Sequence, residues 1–517
     1  MTGGVVGTWH PAEAARLQQA LRLTNEAFAE TLGAAPRTVA KWHANPDISL
    51  TLEMQAALDT LLRRATPEAQ QRFEQLARST AADASGDGGD RRDLTERLLQ
   101  ATHLHSSLAW LDDVRQGEPG TSFDAVVRAA AAKTSRASVL AARGPDRPEL
   151  SKLLLDYYSD GDTIEGAVFL EVSGTRLETS LVTRQAWPSD GLPRVADAEF
   201  SFSRAEVPAA PQASPGLIAA AEDRLVRCLT GGTRLVDQPT YRLLSCEPRP
   251  DVIRAAFSLT SFTRYALSLD LLEAEALSAV AAGSDRMELR DQLLPGLASV
   301  FDPSGRECVG GSLALTALAR PAQGDRPADF LLLLQERSGR VVNGTGRIAV
   351  IPKCFHQPTN EPPAEVDIRT TLLRELEEEL FGRAEVDSTD FGSTVADVLH
   401  PSRMTAPLAW LLDAHGLDIR LTGFAYNLVA GSYEFPALIA VHDEAFWRDF
   451  GGAVEANWES SGLSRLSSAD PDGIEELLQD PRWSDEGLVA FALGLKKLAE
   501  TNPDRVRLPD FEIGVTH

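Results

Sequence analysis

The sequence predicts a multidomain chain with an all-α amino-terminal module, an α+β middle region and a carboxy-terminal α/β sandwich. Three observations carry this prediction. Residues 12–42 hold short apolar-periodic runs separated by turn residues, as consecutive helices do. From Thr163 the apolar period changes from helical to alternating, the mark of strands. Beyond residue 300, strand-like runs enclose one acidic helix and are followed by a last helix, an order that stacks helices on a sheet. The expected boundaries are 1–78, a linker at 79–93, a middle region at 94–295 and the sandwich at 296–517.

At 517 residues the chain exceeds what one core supports. Its 50 basic and 75 acidic residues give a formal charge of −25, which argues against general affinity for nucleic acid or anionic membranes. Residues 1–78 hold eight Lys/Arg and eight Asp/Glu, so the remainder carries the whole −25. The amino-terminal module is therefore the best candidate for any contact with DNA. Cys228, Cys246, Cys308 and Cys354 are scattered without CxxC spacing, which excludes the usual structural zinc pattern and fits a reducing compartment. No basic start with an apolar core opens the chain, and no run of about 18 apolar residues occurs. No membrane partner is expected, and the expected location is cytoplasmic.

In the amino-terminal module, residues 12–22 form a helix with Ala15, Leu17, Ala20 and Leu21 inward. Thr24 suits the N-cap of the next helix, which turns Ala27, Phe28 and Leu32 inward. Gly33-Ala34-Ala35 makes a turn, and Pro36 suits the first position of a third helix whose Val39, Ala40 and Trp42 alternate with Arg37, Thr38 and Lys41. Two short helices joined by such a turn follow the helix-turn-helix plan, in which the second helix reads the major groove. The run Leu21-Arg-Leu-Thr-Asn-Glu-Ala-Phe-Ala-Glu-Thr-Leu-Gly-Ala-Ala-Pro-Arg-Thr-Val-Ala-Lys-Trp42 resembles the XRE-type helix-turn-helix of actinobacterial transcription regulators, over roughly residues 8–62. The resemblance implies that Arg37, Thr38 and Lys41 face bases or phosphates, and that Asn25 and Glu26 open the helix lying across the backbone. Arg37 suits bidentate pairing with guanine, and Lys41 suits a phosphate. A neutral reader gains affinity from dimerisation and a few placed cations, so a homodimer on two half-sites is expected. The bland alternative is a three-helix bundle used for protein contacts.

Residues 51–78 continue as helix, and 79–90, rich in Gly, Ser, Ala and Asp, reads as the clearest linker. Helical patterns resume at Leu94–Val114 and Phe123–Ala142, where His103 and His105 point to different faces and suit packing better than metal ligation. Ile164–Val172 and Arg176–Thr183, joined by Ser173-Gly-Thr175, read as a hairpin. Ala205–Gly216 reads as a loop, Leu217–Leu229 as helix and Tyr241–Cys246 as strand. The middle region shows no chemistry of its own and is expected to serve dimerisation or sensing.

In the carboxy-terminal part, strands are expected at Ser312–Ala319, Asp329–Gln335, Gly346–Ile351, Asp418–Ala425 and Phe435–Val441. A loop is expected at Lys353–Pro358, the acidic helix at Asp367–Phe381 and a final helix at Asp485–Leu498. At 100° per residue, Leu372, Leu373, Leu376 and Leu380 form one buried stripe, while Glu375, Glu378 and Glu379 crowd another face. Such carboxylates repel unless a cation sits among them, and Mg2+ is the usual choice where phosphates are bound. Arg374, one turn before Glu378, can hold that carboxylate. The bland alternative is a solvated acidic face.

The element order and the run Arg374-Glu-Leu-Glu-Glu-Glu379 resemble the Nudix hydrolase signature, over about residues 300–500. Its glycine falls one place late, at Gly382; Val366 and Asn360 stand at the earlier glutamate and glycine positions; Lys353 and Cys354 replace the glycine pair. The resemblance implies a Nudix-like sandwich with Glu375, Glu378 and Glu379 as Mg2+ ligands, and Glu378 and Glu379 catalytic if the domain is active. In that chemistry the metal activates water while a carboxylate acts as base. Glycine suits close approach to phosphate and Lys-Cys-Phe does not, so the loop has been rebuilt. Glu361, Glu365 or Asp367 could replace the lost carboxylate, and Lys353, His356 and Arg374 are the candidate ligand contacts. Cys354 suits packing rather than nucleophilic attack. The expected function is a transcription regulator that binds a double-stranded operator and senses a nucleotide-like or diphosphate-containing metabolite. Its alternatives are an active Mg2+-dependent hydrolase of nucleoside diphosphate derivatives joined to a DNA-binding domain, and an interaction protein.

Overall fold

The computed structural model describes residues 9, 11–21, 25–32, 34, 39, 42, 52–65, 73, 87–134, 147–159, 164–184, 198–231, 235–249, 252–337, 347–381, 404–413, 416–451 and 460–516. The chain divides into two compact units, Met1–Glu96 and Arg97–His517.

The first unit contains helices α1 (Pro11–Leu21), α2 (Asn25–Leu32) and α3 (Leu52–Arg64). They meet over Ala14, Leu17, Ala20, Phe28, Ala29, Leu32 and Leu58, joined by Trp9, Val39, Trp42 and Phe73. Leu17 and Ala20 of α1 are buried as expected and Leu21 packs against this core, while Ala14 rather than Ala15 is buried with them. Ala34 N–H donates to the Ala29 carbonyl five residues back, the bond that closes a helix end. The indole of Trp9 donates to Asp59 on α3 at 2.7 Å, giving this buried ring a polar partner. Helix α4 (Asp87–Gln100) begins inside the stretch expected to be linker; residues 79–86 lie outside the described residues.

The second unit mixes helices with a large mixed sheet. Along the chain come helix α5 (Arg147–Tyr158), strands β1 (Ala167–Val172), β2 (Thr175–Val182), β3 (Glu199–Phe202), β4 (Pro239–Pro248) and β5 (Ile253–Ser261), and helix α6 (Leu271–Ala282). Then follow β6 (Gly311–Arg320), β7 (Asp329–Arg337), β8 (Ile348–Val350), β9 (Lys353–Phe355) and the acidic helix α7 (Ile368–Leu380). Last come β10 (Leu417–Leu421), β11 (Ala425–Asn427), β12 (Ser432–Val441), β13 (Ser460–Ser467), helix α8 (Asp485–Thr501) and β14 (Phe511–Val515).

The large sheet runs β13-β7-β6-β12-β11-β2-β1-β14, with β10 on β12, β8 on β7 and β9 on β6; β3, β5 and β4 form a smaller sheet. The central strands β6 and β12 run parallel, Leu315 beside Leu438, and every residue of β12 is buried. Parallel strands covered on both faces read as continuous apolar runs, as these do. Alternation then sorts the layers. Leu313, Leu315, Ala317 and Ala319 of β6 pack beneath α8 with Leu438 and Ala440 of β12. Thr316 and Leu318 face the other way, toward Leu376 and Leu380 of α7 together with Ile439 and Val441. Helices thus cover opposite faces of the same strands.

The hairpin β1–β2 turns on Ser173 and Gly174, with φ of 49° and 76°. Two positive φ angles make the tight turn whose twist matches the strands. The hairpin does not stand apart. Asn427 of β11 pairs with Leu181, and β14 pairs with β1, Val168 beside Val515. The boundary expected at 295/296 therefore has no counterpart in this unit, because strands from both sides of it share one sheet. Among the described residues, no helix is long and apolar enough to cross a membrane.

Candidate functional site

Helix α7 starts at Asp367, whose carboxylate accepts from Arg369 N–H at 2.9 Å. Its leucine stripe is buried as expected, and so is most of the charged face, with Glu375 half-buried. Arg374 is 6% exposed, Glu377 0%, Glu378 7% and Glu379 1%. The reading of a solvated acidic face is excluded by these values. Carboxylates so deep need partners, since burying an unpaired charge costs several kcal/mol or more.

The partners come from the protein itself, and they draw the carboxylates apart. The Arg374 guanidinium lies 3.0 Å from Glu375 Oε1 and also donates to the Gln357 carbonyl at 3.0 Å. Burial opposes the Arg374 charge, but Glu375 and Glu378 outweigh it and hold its pKa above the ordinary value. Glu379 turns toward the sheet: Oε1 accepts from Lys353 N–H and Oε2 from the Gln335 amide, both at 3.2 Å. Glu377 accepts from Thr405 N–H at 2.5 Å. A divalent cation of the Mg2+ class needs several oxygens converging on one point. Here an arginine stands beside Glu375 and Glu378, and Glu379 is engaged elsewhere. Among the described residues, no group of three or more His, Cys, Asp or Glu is placed to hold a metal. This arrangement does not fit Mg2+.

The other sequence candidates fall in several places. His356 has no exposed surface. Its ring lies 4.2 Å from Tyr241 and 4.9 Å from Phe257, with Nδ1 3.3 Å from the Tyr433 hydroxyl. Burial, reinforced by Arg374, pushes its pKa down to about 3, so the ring is neutral and packs rather than facing a phosphate. Cys354 is half-buried with Sγ 3.5 Å from the Ser312 carbonyl. Glu365 accepts from the N–H groups of Thr359, Asn360 and Glu361 at 2.6–2.7 Å, closing the loop ahead of α7. Burial raises its pKa, but these bonds and the Thr359 hydroxyl outweigh it and keep it low. Glu361 is exposed, and Asp367 serves as the helix cap. Asn25 and Glu26 open α2, but their side chains, like Arg37, Thr38, Lys41 and Gly382, lie outside the described residues.

Lys353 opens the strand β9, where a loop was expected, and pairs with Leu313 on β6. It thereby shares the face of Leu313, beneath α8. Two glycines permit this closeness: a Cβ on Gly311 would sit 1.8 Å from the Cys354 carbonyl oxygen, and one on Gly310 would sit 1.9 Å from that of Tyr433. The Lys353 ammonium lies 2.6 Å from Glu486 Oε1 in the first turn of α8. Glu486 Oε2 accepts from the Asn427 amide at 3.2 Å. Glu434 on β12 accepts from the Ser432 hydroxyl at 2.8 Å and hydrogen-bonds Asn427 as well. Burial, then the charge of Glu486, pushes the Glu434 carboxyl up to about 8. Glu486 is held low: burial works against it, but Lys353 outweighs burial through charge and hydrogen bond. Beside Glu486, Asp485 takes Arg147 at 3.1 Å, the Ser151 hydroxyl at 2.6 Å and Ser180 N–H at 2.7 Å.

Sequence reasoning missed this cluster, although a signal existed. Glu434 is the one charged residue in the otherwise apolar or small-polar run Ser432–Val441. An acid inside a fully buried strand asks for a partner. Searches of protein-family models and of curated proteins each returned no match to this chain.

Proposed function

We propose that this chain is a DNA-binding transcription regulator whose carboxy-terminal unit, a Nudix-like sandwich, senses a nucleotide or diphosphate-containing metabolite. In this reading the amino-terminal helices form the helix-turn-helix, with Arg37, Thr38 and Lys41 reading a double-stranded operator as a cytoplasmic homodimer. The burial of Phe28, Leu32, Val39 and Trp42 in one core supports it, because the two helices of such a motif must pack to aim the second. The order of strand, acidic helix, strand and closing helix, with helices on opposite faces of β6 and β12, supports the sandwich.

The observation that carries sensing over hydrolysis is the closure of the acidic helix by internal partners: Arg374 on Glu375, and Lys353 N–H and Gln335 on Glu379. An anionic effector competes with Glu375 for Arg374, and a ligand that prefers the opened state shifts the balance between two states without turnover. A thermal-shift screen of nucleotides and dinucleotides, with and without Mg2+, tests this. Stabilisation by one compound that is lost in Arg374→Ala supports the reading. Release of phosphate from nucleoside diphosphates with Mg2+ replaces it with the hydrolase.

A further inference from the structure

Beneath α8, on the face of the sheet away from the acidic helix, two buried carboxylates lie close together, and among the described residues Glu486 has a cation bonded to it while Glu434 has none. Glu434 and Glu486 are both buried and both hydrogen-bond Asn427, and Lys353 supplies the nearest positive charge. The buried guanidiniums nearby, Arg290 and Arg306, are bonded to the backbone carbonyls of Leu428, Val429 and Gly431 rather than to Glu434. Glu273 on α6 lies close enough to feel Glu486 and Lys353, and burial raises its pKa. Arg224 is occupied by Asp270 at 2.6 Å, and Arg147 by Asp485 at 3.1 Å. Tyr265, Tyr433 and Cys308, which also face Glu434, are held neutral by burial. Two carboxylates in a site of low dielectric, with one ammonium between them, do not both ionise.

We propose that Glu434 and Glu486 hold a single proton at neutral pH, carried by Glu434, and that its release loosens the first turn of α8 from β12. Glu486 keeps its charge because Lys353 is bonded to it and because the start of α8 favours an anion. Glu434, on a strand with no such dipole, keeps the proton. Deprotonation adds a second buried negative charge opposite Glu486. The first turn of α8 is where that repulsion acts, since Glu486 belongs to it. The proton site reports on alkalinity.

The test uses the full chain. Infrared difference spectra recorded from about pH 7 to about pH 9 are expected to lose one protonated-carboxyl band in the wild type and none in Glu434→Gln. Hydrogen–deuterium exchange of the peptide spanning residues 484–495, corrected for intrinsic rate, is expected to quicken by about tenfold over that range in the wild type and to stay flat in Glu434→Gln. A wild-type spectrum with no carboxyl band titrating between those pH values overturns the proposal even where the variant fails to fold. A titrating band that persists in Glu434→Gln overturns the assignment to Glu434, and a flat wild-type exchange profile overturns the coupling to α8.

Discussion

The ammonium of Lys353 lies 2.6 Å from Glu486 Oε1 on α8, while the N–H of the same lysine donates to Glu379 on α7 at 3.2 Å. One residue of the short strand β9 thus engages carboxylates from helices on opposite faces of the sheet. Replacing it removes the ammonium and leaves the backbone bond. Lys353→Met is expected to cost about 3 kcal/mol, the cost of stranding one partner of a buried pair. The loss should be smaller if the pair takes up a second proton, so acid conditions should restore part of it. Urea melts at about pH 5 and about pH 8 measure both; equal losses at the two values would show that Glu486 does not depend on this cation.

His356 gives a second pH signature of opposite sign to that of Glu434. Its pKa falls from 6.5 to about 3 on folding, chiefly by burial. Below 6.5 the unfolded chain binds a proton that the folded chain refuses, so this stability is present above 6.5 and is lost as pH falls toward 3. Between pH 6.5 and about 5 the loss amounts to about 2 kcal/mol. His356→Phe keeps an aromatic ring against Tyr241 and Phe257 and removes the proton site. It is expected to flatten the stability profile between about pH 7 and about pH 5. An unchanged slope in the variant would mean that His356 accepts its proton in place.

The acidic helix yields a prediction about metal. With Arg374 on Glu375 and Glu379 held by β7 and β9, titration calorimetry with MgCl2 is expected to show no saturable heat. Arg374→Ala is expected to destabilise the chain by about 3 kcal/mol, because it removes the buried guanidinium bonded to Glu375 and to the Gln357 carbonyl. Saturable Mg2+ binding that disappears in Glu379→Gln would restore the metal reading.

What was legible in the sequence follows the range of the forces. The hairpin at Ser173-Gly174, the apolar strands β6, β7 and β12, and the leucine stripe of α7 are local patterns, and their residues announce them. The rest depends on neighbours distant in the chain. Nothing in Phe511–Val515 names β1 as its partner, so the sequence does not show that the hairpin β1–β2 of the middle region belongs to the large sheet. The stretch Lys353–Phe355 is too short to show a period, so it read as a loop. Periodicity separated the leucines of α7 from its glutamates, but it held no information on what covers the charged face. That cover comes from Gln335, Lys353, Gln357 and Thr405, each brought there by tertiary structure.

Operator recognition tests the proposed role most directly. Fluorescence anisotropy of a labelled fragment from the protein's own promoter region, titrated with the full chain against random DNA, is the measurement. Wild type is expected to prefer the promoter fragment, Arg37→Ala to lose about 1–3 kcal/mol of that preference, and Lys41→Ala to weaken binding to both DNAs while reducing the salt slope by about one. A wild-type chain that binds the promoter fragment no better than random DNA, or an Arg37→Ala chain that binds as well as wild type, would contradict the account.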